Sequence, residues 1–142
     1  MNRETTKYCN CLYYSANALA RLMTKMAEEE FTIVQLAPSH AFLLMTVNQK
    51  PGIQPKEISK IMKLKPSTVT RLIEKMEFKG YLERKSIGKT TEVFPSKSCT
   101  ELDSKIKEAW RNLLNRYTKL IGEKESRRLT EDVYEAILKL QE

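Results

Sequence analysis

The chain has 142 residues, 41% hydrophobic and 30% charged, a length and composition that suit one folded domain and exclude disordered, low-complexity and disulfide-dependent classes. The longest apolar run, Ala41 to Met45, falls far short of the ~20 residues that span a bilayer. Met1 to Glu4 leads into a polar stretch without the apolar core of an export signal, so a cytoplasmic location and no membrane partner are expected. The formal charge of +7 points to a polyanionic partner, and Cys9, Cys11 and Cys99, odd in number and irregularly spaced, fit reduced thiols.

Gly and Pro are almost confined to the middle third, which predicts long uninterrupted helices at both ends. From about Thr6 to Glu30, Leu12, Ala16, Leu19, Met23 and Met26 recur at the spacings of an amphipathic helix. Pro38, at a first helical position, starts a second helix through Phe42, Leu43, Met45 and Val47, which Lys50-Pro51-Gly52 ends. Gln54-Pro55-Lys56-Glu57 opens a third, with Ile58, Ile61 and Met62 on one face. Pro66-Ser67 begins a fourth, with Val69, Leu72, Ile73 and Met76 inward and Gly80 past its end.

Two strand-like runs follow, Tyr81 to Lys85 and Thr90 to Phe94, joined by Ser86-Ile87-Gly88-Lys89 as a tight turn. A long helix from about Ser98 to Ile121 carries Leu102, Ile106, Ala109, Leu113, Tyr117 and Leu120, with Ser98-x-x-Glu101 as a capping box. Gly122 ends it, and a last helix, about Glu125 to Gln141, carries Leu129, Val133, Ile137 and Leu140. The order predicts a mainly α fold with a small β-hairpin wing, a winged helix-turn-helix between long terminal helices. The whole of 1–142 is read as one domain, with 1–35 and 98–142 as a helical dimerisation region and 36–97 as the winged helix.

The charge is not spread evenly. Residues 50–97 hold twelve Lys and Arg against five Glu, a surplus equal to that of the entire chain, while the segments on either side are each neutral. Such a block is the electrostatic footprint of a nucleic-acid surface, because neutralising phosphates releases counterions. Within it, helical periodicity puts Ser67, Thr68, Thr70, Arg71, Glu74 and Lys75 opposite the apolar face. Short hydroxyls and a guanidinium at a helix N-terminus suit phosphates and guanine edges in a major groove. Lys65 sits just before that helix, and Arg84, Lys85 and Lys89 lie on the hairpin. The double-stranded DNA site is therefore expected at Lys65, Ser67, Thr68, Thr70, Arg71, Lys75, Arg84, Lys85 and Lys89. A polar cap on a solvated helix and charged blocking of a strand edge are the competing readings.

These stretches resemble the MarR family of small dimeric winged-helix regulators. The resemblance lies in Leu36-Ala37-Pro38-Ser39-His40, Ile53-Gln54-Pro55-Lys56-Glu57-Ile58, Ser67-Thr68-Val69-Thr70-Arg71-Leu72-Ile73-Glu74-Lys75-Met76 and Lys79-Gly80-Tyr81-Leu82-Glu83-Arg84. It implies a homodimer joined through the first and last helices, a repressor of a pseudo-palindromic operator, and release by a small-molecule effector. Ser67, Thr68, Thr70 and Arg71 would then lie at the major groove. The stretch Lys85 to Glu92 lacks the family's Asp-x-Arg-like wing motif and is shorter, leaving Lys89 as the substitute. Phe94-Pro95-Ser96-Lys97-Ser98-Cys99 replaces the family's Leu-Thr-x-x-Gly. Dimerisation also has a physical basis, since the apolar stripes of three long helices exceed what one winged-helix unit covers.

An effector site has only weak candidates, Tyr13, Met23, Met45, Trp110 and Tyr117, each equally readable as core. Cys9, four residues before Tyr13, resembles the placement of a reactive thiol in hydroperoxide-sensing relatives. Those relatives also use tyrosines where this chain has Met23 and Pro38, and only Lys7 and Arg3 are near to activate a thiol. A redox-sensing regulator using Cys9 and a helical dimeric protein-interaction module are the alternative functions. No metal, cofactor or catalytic residue is expected, because no Cys or His pair has a chelating spacing and nothing resembles a phosphate loop or a nucleophile–base pair. His40 is expected to cap or pack near the start of the second helix.

Overall fold

Three prolines set the starts of three successive helices. The computed structural model describes residues 6–141, and in it Pro38, Pro55 and Pro66 each occupy the first turn of a helix. There a proline's missing N–H costs nothing and its fixed φ is already helical. The elements in chain order are α1 (Leu12–Glu30), a short 3-10 turn (Phe31–Val34), α2 (Pro38–Gln49), α3 (Pro55–Met62), α4 (Pro66–Phe78), β1 (Leu82–Ile87), β2 (Thr90–Pro95), α5 (Lys97–Ile121) and α6 (Glu123–Leu140). This is the mainly helical fold with a β-hairpin wing that the sequence predicts.

Helix α2 is the centre of the core. Ala41, Leu43, Leu44, Met45 and Val47 are buried on nearly every side of it, as expected of a helix that is apolar almost all round. Around it Phe31, Ile58, Ile73, Met76, Val93 and Ile106 are fully enclosed, each stabilising the fold by roughly 1.5–3 kcal/mol relative to exposure. Asn48, near the end of α2, donates through Nδ2 to the Cys99 carbonyl at 3.1 Å and to Asp103 Oδ1 at 3.3 Å, tying α2 to the start of α5. Arg116 ties α5 to α1, reaching Glu30 at 3.0 Å and Glu29 at 3.6 Å.

The hairpin is rooted in the core through Leu82 and Val93. Before it, the chain leaving α2 runs beside β2: the Gly52 N–H donates to the Val93 carbonyl at 2.8 Å and the Val93 N–H to the Ile53 carbonyl at 2.9 Å. Gly52 is at φ +90, and a Cβ there would meet Glu92 Oε1 at 3.0 Å and the Phe94 ring at 3.4 Å. A side chain there would be strained by the backbone conformation and would have to displace the Glu92 and Phe94 side chains.

Several boundaries differ from expectation. Helix α1 begins at Leu12 rather than near Thr6, so Cys9 precedes it in a turn and Cys11 is its N-cap residue. The capping hydroxyl of α5 belongs to Ser96, which accepts the Cys99 N–H at 3.3 Å, whereas Ser98 Oγ turns back to the Gly80 carbonyl. Helix α6 starts at Glu123, directly after Gly122. The strands extend to Ile87 and from Thr90, leaving Gly88 and Lys89 as the whole turn. Ile61, expected to face inward, is exposed, because two-turn α3 meets the core only along the edge of Ile58 and Met62.

Candidate nucleic-acid interface

Helix α4 is anchored by Val69, Ile73 and Met76, which are buried, and this fixes which residues face outward. Ser67, Thr70, Arg71, Glu74 and Lys75 recur at three- and four-residue spacings on the exposed side, with Thr68 half-buried at its margin. Lys65 is the N-cap residue, in extended conformation, and no side chain caps the helix. Pro66 has no N–H and the Thr68 N–H donates to the Lys65 carbonyl at 3.0 Å, which leaves the Ser67 N–H as the first-turn donor that an anion would satisfy. Thr70 Oγ1 donates to the Pro66 carbonyl at 3.0 Å, which fixes its hydroxyl rotor and leaves the oxygen's lone pairs outward. Among the described residues Arg71 makes no ion pair.

The hairpin's three basic residues are placed differently from one another. Arg84 is engaged inside the molecule: its guanidinium lies 2.7 Å from Glu77 Oε1 and 4.0 Å from Glu74 Oε1, and its backbone N–H donates to Glu77 Oε2 at 3.2 Å. These contacts hold Arg84 of the wing against α4. Lys85 sits over the Phe94 ring, 4.9 Å from its centroid. Lys89 stands at the turn, exposed. Lys65, Ser67, Thr68, Thr70, Arg71 and Lys75 thus share one helix and its entry, and Lys89 stands apart at the wing tip.

Two lysines outside the expected set share the basic character. Lys56 and Lys60 are exposed one turn apart on α3, without an ion-pair partner among the described residues. Their four-residue spacing inside the charged block was the available signal. Lys50 is consumed by Glu57 at 2.7 Å. Lys63, in the left-handed conformation at the end of α3, reaches Gln141 Oε1 at 3.2 Å and lies 5.6 Å from the centre of the Tyr134 ring on α6. His40, in the first turn of α2, has its protonation disfavoured first by burial and then by the charges of Lys75 and Lys79. It makes no capping contact there.

The five effector-site candidates do not form one site. Met23 and Tyr117 meet in an apolar cleft of about 270 Å3 between α1, α5 and α6, with Leu19, Ile121, Val133 and Tyr134. Burial there raises the Tyr117 phenol above its ordinary value. Tyr13 is 79% exposed on the first turn of α1, and Met45 is part of the core. Trp110 packs edge-on against Phe42, with ring centroids 5.9 Å apart. Cys9 and Cys11 are exposed and Cys99 is buried. No cluster of His, Cys, Asp or Glu able to hold a metal occurs among the described residues, and no helix there is long and apolar enough to cross a membrane.

Comparison with known proteins gives a consistent result. Residues 36–87 match the MarR family model. No curated protein matches the chain. Among solved structures, a MarR protein from Peptoclostridium difficile is similar over 99% of this chain and 94% of that one, with 17% identity and a TM-score of 0.81. A mutant MarR from E. coli complexed with operator DNA is similar over 93% of this chain and 99% of its own, with 14% identity and a TM-score of 0.81. A MarR family transcriptional regulator from Listeria monocytogenes complexed with 26mer DNA has 21% identity over 90% of this chain and 87% of its own, with a TM-score of 0.75.

Proposed function

We propose that this chain is a MarR-type winged-helix DNA-binding regulator, a homodimeric repressor that reads a pseudo-palindromic operator in double-stranded DNA. The carrying observation is the outward face of α4, where Ser67, Thr70 and Arg71 are exposed on a helix whose first turn has no side-chain cap. Arg71 would bind a guanine edge, with Ser67 and Thr68 at phosphates and Lys65 and Lys75 neutralising the backbone. Lys56 and Lys60 extend the neutralising surface onto α3. The DNA complexes among the structural relatives support the same reading.

Homodimer formation is supported by the apolar groups that the folded chain leaves outside. Leu12 on α1, Leu120 at the end of α5 and Leu140 on α6 are 69, 74 and 77% exposed, all on the three helices that flank the winged helix. A second copy would cover them, and its twofold axis would place two α4 helices about one DNA turn apart, ~34–36 Å. Release by a small apolar effector is supported by the cleft at Met23 and Tyr117, whose walls belong to these same helices. The test is selection of bound duplexes from random sequence. Enrichment of an inverted repeat with half-sites one turn apart is expected, and enrichment of no sequence above input would reject the reading.

A further inference from the structure

The wing ends in an unusual pair of side chains. Six cross-strand pairs run from Leu82↔Pro95 at the core to Ile87↔Thr90 at the tip, which carries the tip about 16 Å from its root. The turn is closed tightly. Gly88 is at φ +64 while Lys89 keeps a negative φ, the pattern of a type II′ turn with Gly first, and Thr90 Oγ1 donates to the Ile87 carbonyl at 2.9 Å. Arg84 is held by Glu77 and Lys85 lies over Phe94. What the tip presents is therefore one cation, Lys89, and one apolar group, Ile87, 52% exposed at the end of β1.

We propose that Ile87 is a specificity-determining residue of the wing, inserting into the DNA minor groove beside the α4 half-site and selecting A·T over G·C pairs there. The proposal rests on the DNA-binding reading above. In the minor groove, A·T and T·A pairs present only acceptors on the floor, whereas G·C adds the guanine amino group. A branched alkyl side chain fits against the sugar walls of the unobstructed groove and is displaced by that amino group. Branched alkyl groups are among the wedges that minor-groove proteins use. Lys89 beside it neutralises backbone phosphates whatever the sequence, so the choice between A·T and G·C falls to Ile87. The tight turn keeps the tip ordered before binding, so little entropy is lost when it docks.

The experiment uses the duplex enriched from random sequence, with the pairs flanking each half-site made A·T, G·C or I·C. Inosine keeps the major-groove face of guanine but lacks its minor-groove amino group. Wild-type protein is expected to bind the G·C flank about five- to tenfold more weakly than the A·T flank and to recover on I·C. Ile87→Ser should lose that discrimination while keeping its half-site preference, and Ile87→Leu should retain it. Arg71→Ala should lose half-site preference and keep flank discrimination. Ile87→Ser with undiminished flank discrimination overturns the wing assignment alone. Wild-type protein that binds no duplex above background overturns the DNA reading and the assignment with it.

Discussion

Arg84 on β1 and Glu77 on α4 are joined twice, by an ion pair of 2.7 Å and by the Arg84 backbone N–H to the other carboxylate oxygen at 3.2 Å. The pair links the wing to the helix that the sequence marks for recognition. Because both side chains keep partial solvent contact, the pair itself contributes only about 0.5–1 kcal/mol to stability. Arg84→Ala should therefore lower operator affinity by freeing the wing while leaving the salt dependence of binding unchanged. A salt slope reduced by about one would instead show that Arg84 neutralises a phosphate.

Arg71 and Lys89 should behave in opposite ways. Arg71→Ala is expected to cost about 1–3 kcal/mol on the preferred duplex and to relax preference at one base position. Lys89→Ala should weaken binding to all duplexes alike and reduce the salt slope by about one. Titrations of specific and scrambled duplexes at several salt concentrations separate these effects.

His40 predicts an acid limb of stability. Burial, Lys75 and Lys79 all disfavour its protonated form in the fold, so its pKa lies below the ordinary 6.5. Its contribution is present above that value and is lost as pH falls through the folded pKa. His40→Gln should narrow the difference in denaturant midpoint between about pH 7 and pH 5. An unchanged difference would show that other groups govern this limb.

Cys99 predicts the reverse limb. Burial pushes its thiol from 9.0 up to about 11, against a lowering contribution from the Asn48 hydrogen bond. The stability it confers is complete below pH 9.0 and is lost as pH rises toward about 11, because the unfolded chain ionises first. Cys99→Ala should flatten the alkaline decline. In the native protein, a thiol reagent should modify exposed Cys9 and Cys11 well before buried Cys99, as mass spectrometry of timed samples would show.

Leu120 and Leu140 test the assembly. Both are exposed in the single chain, so Leu120→Asp and Leu140→Asp should leave the melting of secondary structure nearly unchanged if nothing covers them. Under the dimer proposal, light scattering should show monomers, and operator affinity should fall more than about tenfold as the second half-site contact is lost.

Much of the architecture was readable because its signals are local. Pro38, Pro55 and Pro66 mark helix starts by their own covalent geometry, and Gly88 marks the wing turn. The outward face of α4 followed from periodicity alone, since Val69, Ile73 and Met76 had to be buried together. Tertiary competition hid the rest. Nothing near Arg84 in the sequence says that Glu77, across the break between α4 and β1, would take its charge. Ser96 and Ser98 are both plausible caps locally, and the contact of Ser98 with the Gly80 carbonyl decides between them. Tyr13, Met45 and Trp110 were grouped with Met23 and Tyr117 by residue type, whereas packing sends them to solvent, core and the Phe42 ring.

Lys63 holds two opposed effects at one position. Its left-handed backbone, φ 53, costs a non-glycine residue about 1–2 kcal/mol. Its ammonium group meanwhile reaches Gln141 and Tyr134 on α6, contacts of about 1 kcal/mol together at such exposure. Lys63→Gly would relax the first and abolish the second, so the two changes nearly cancel in a single-substitution survey. The position would look tolerant there, yet in a Tyr134→Ala background the same replacement should become stabilising. The link between the helix-turn-helix and α6 should therefore behave epistatically, silent until its partner changes.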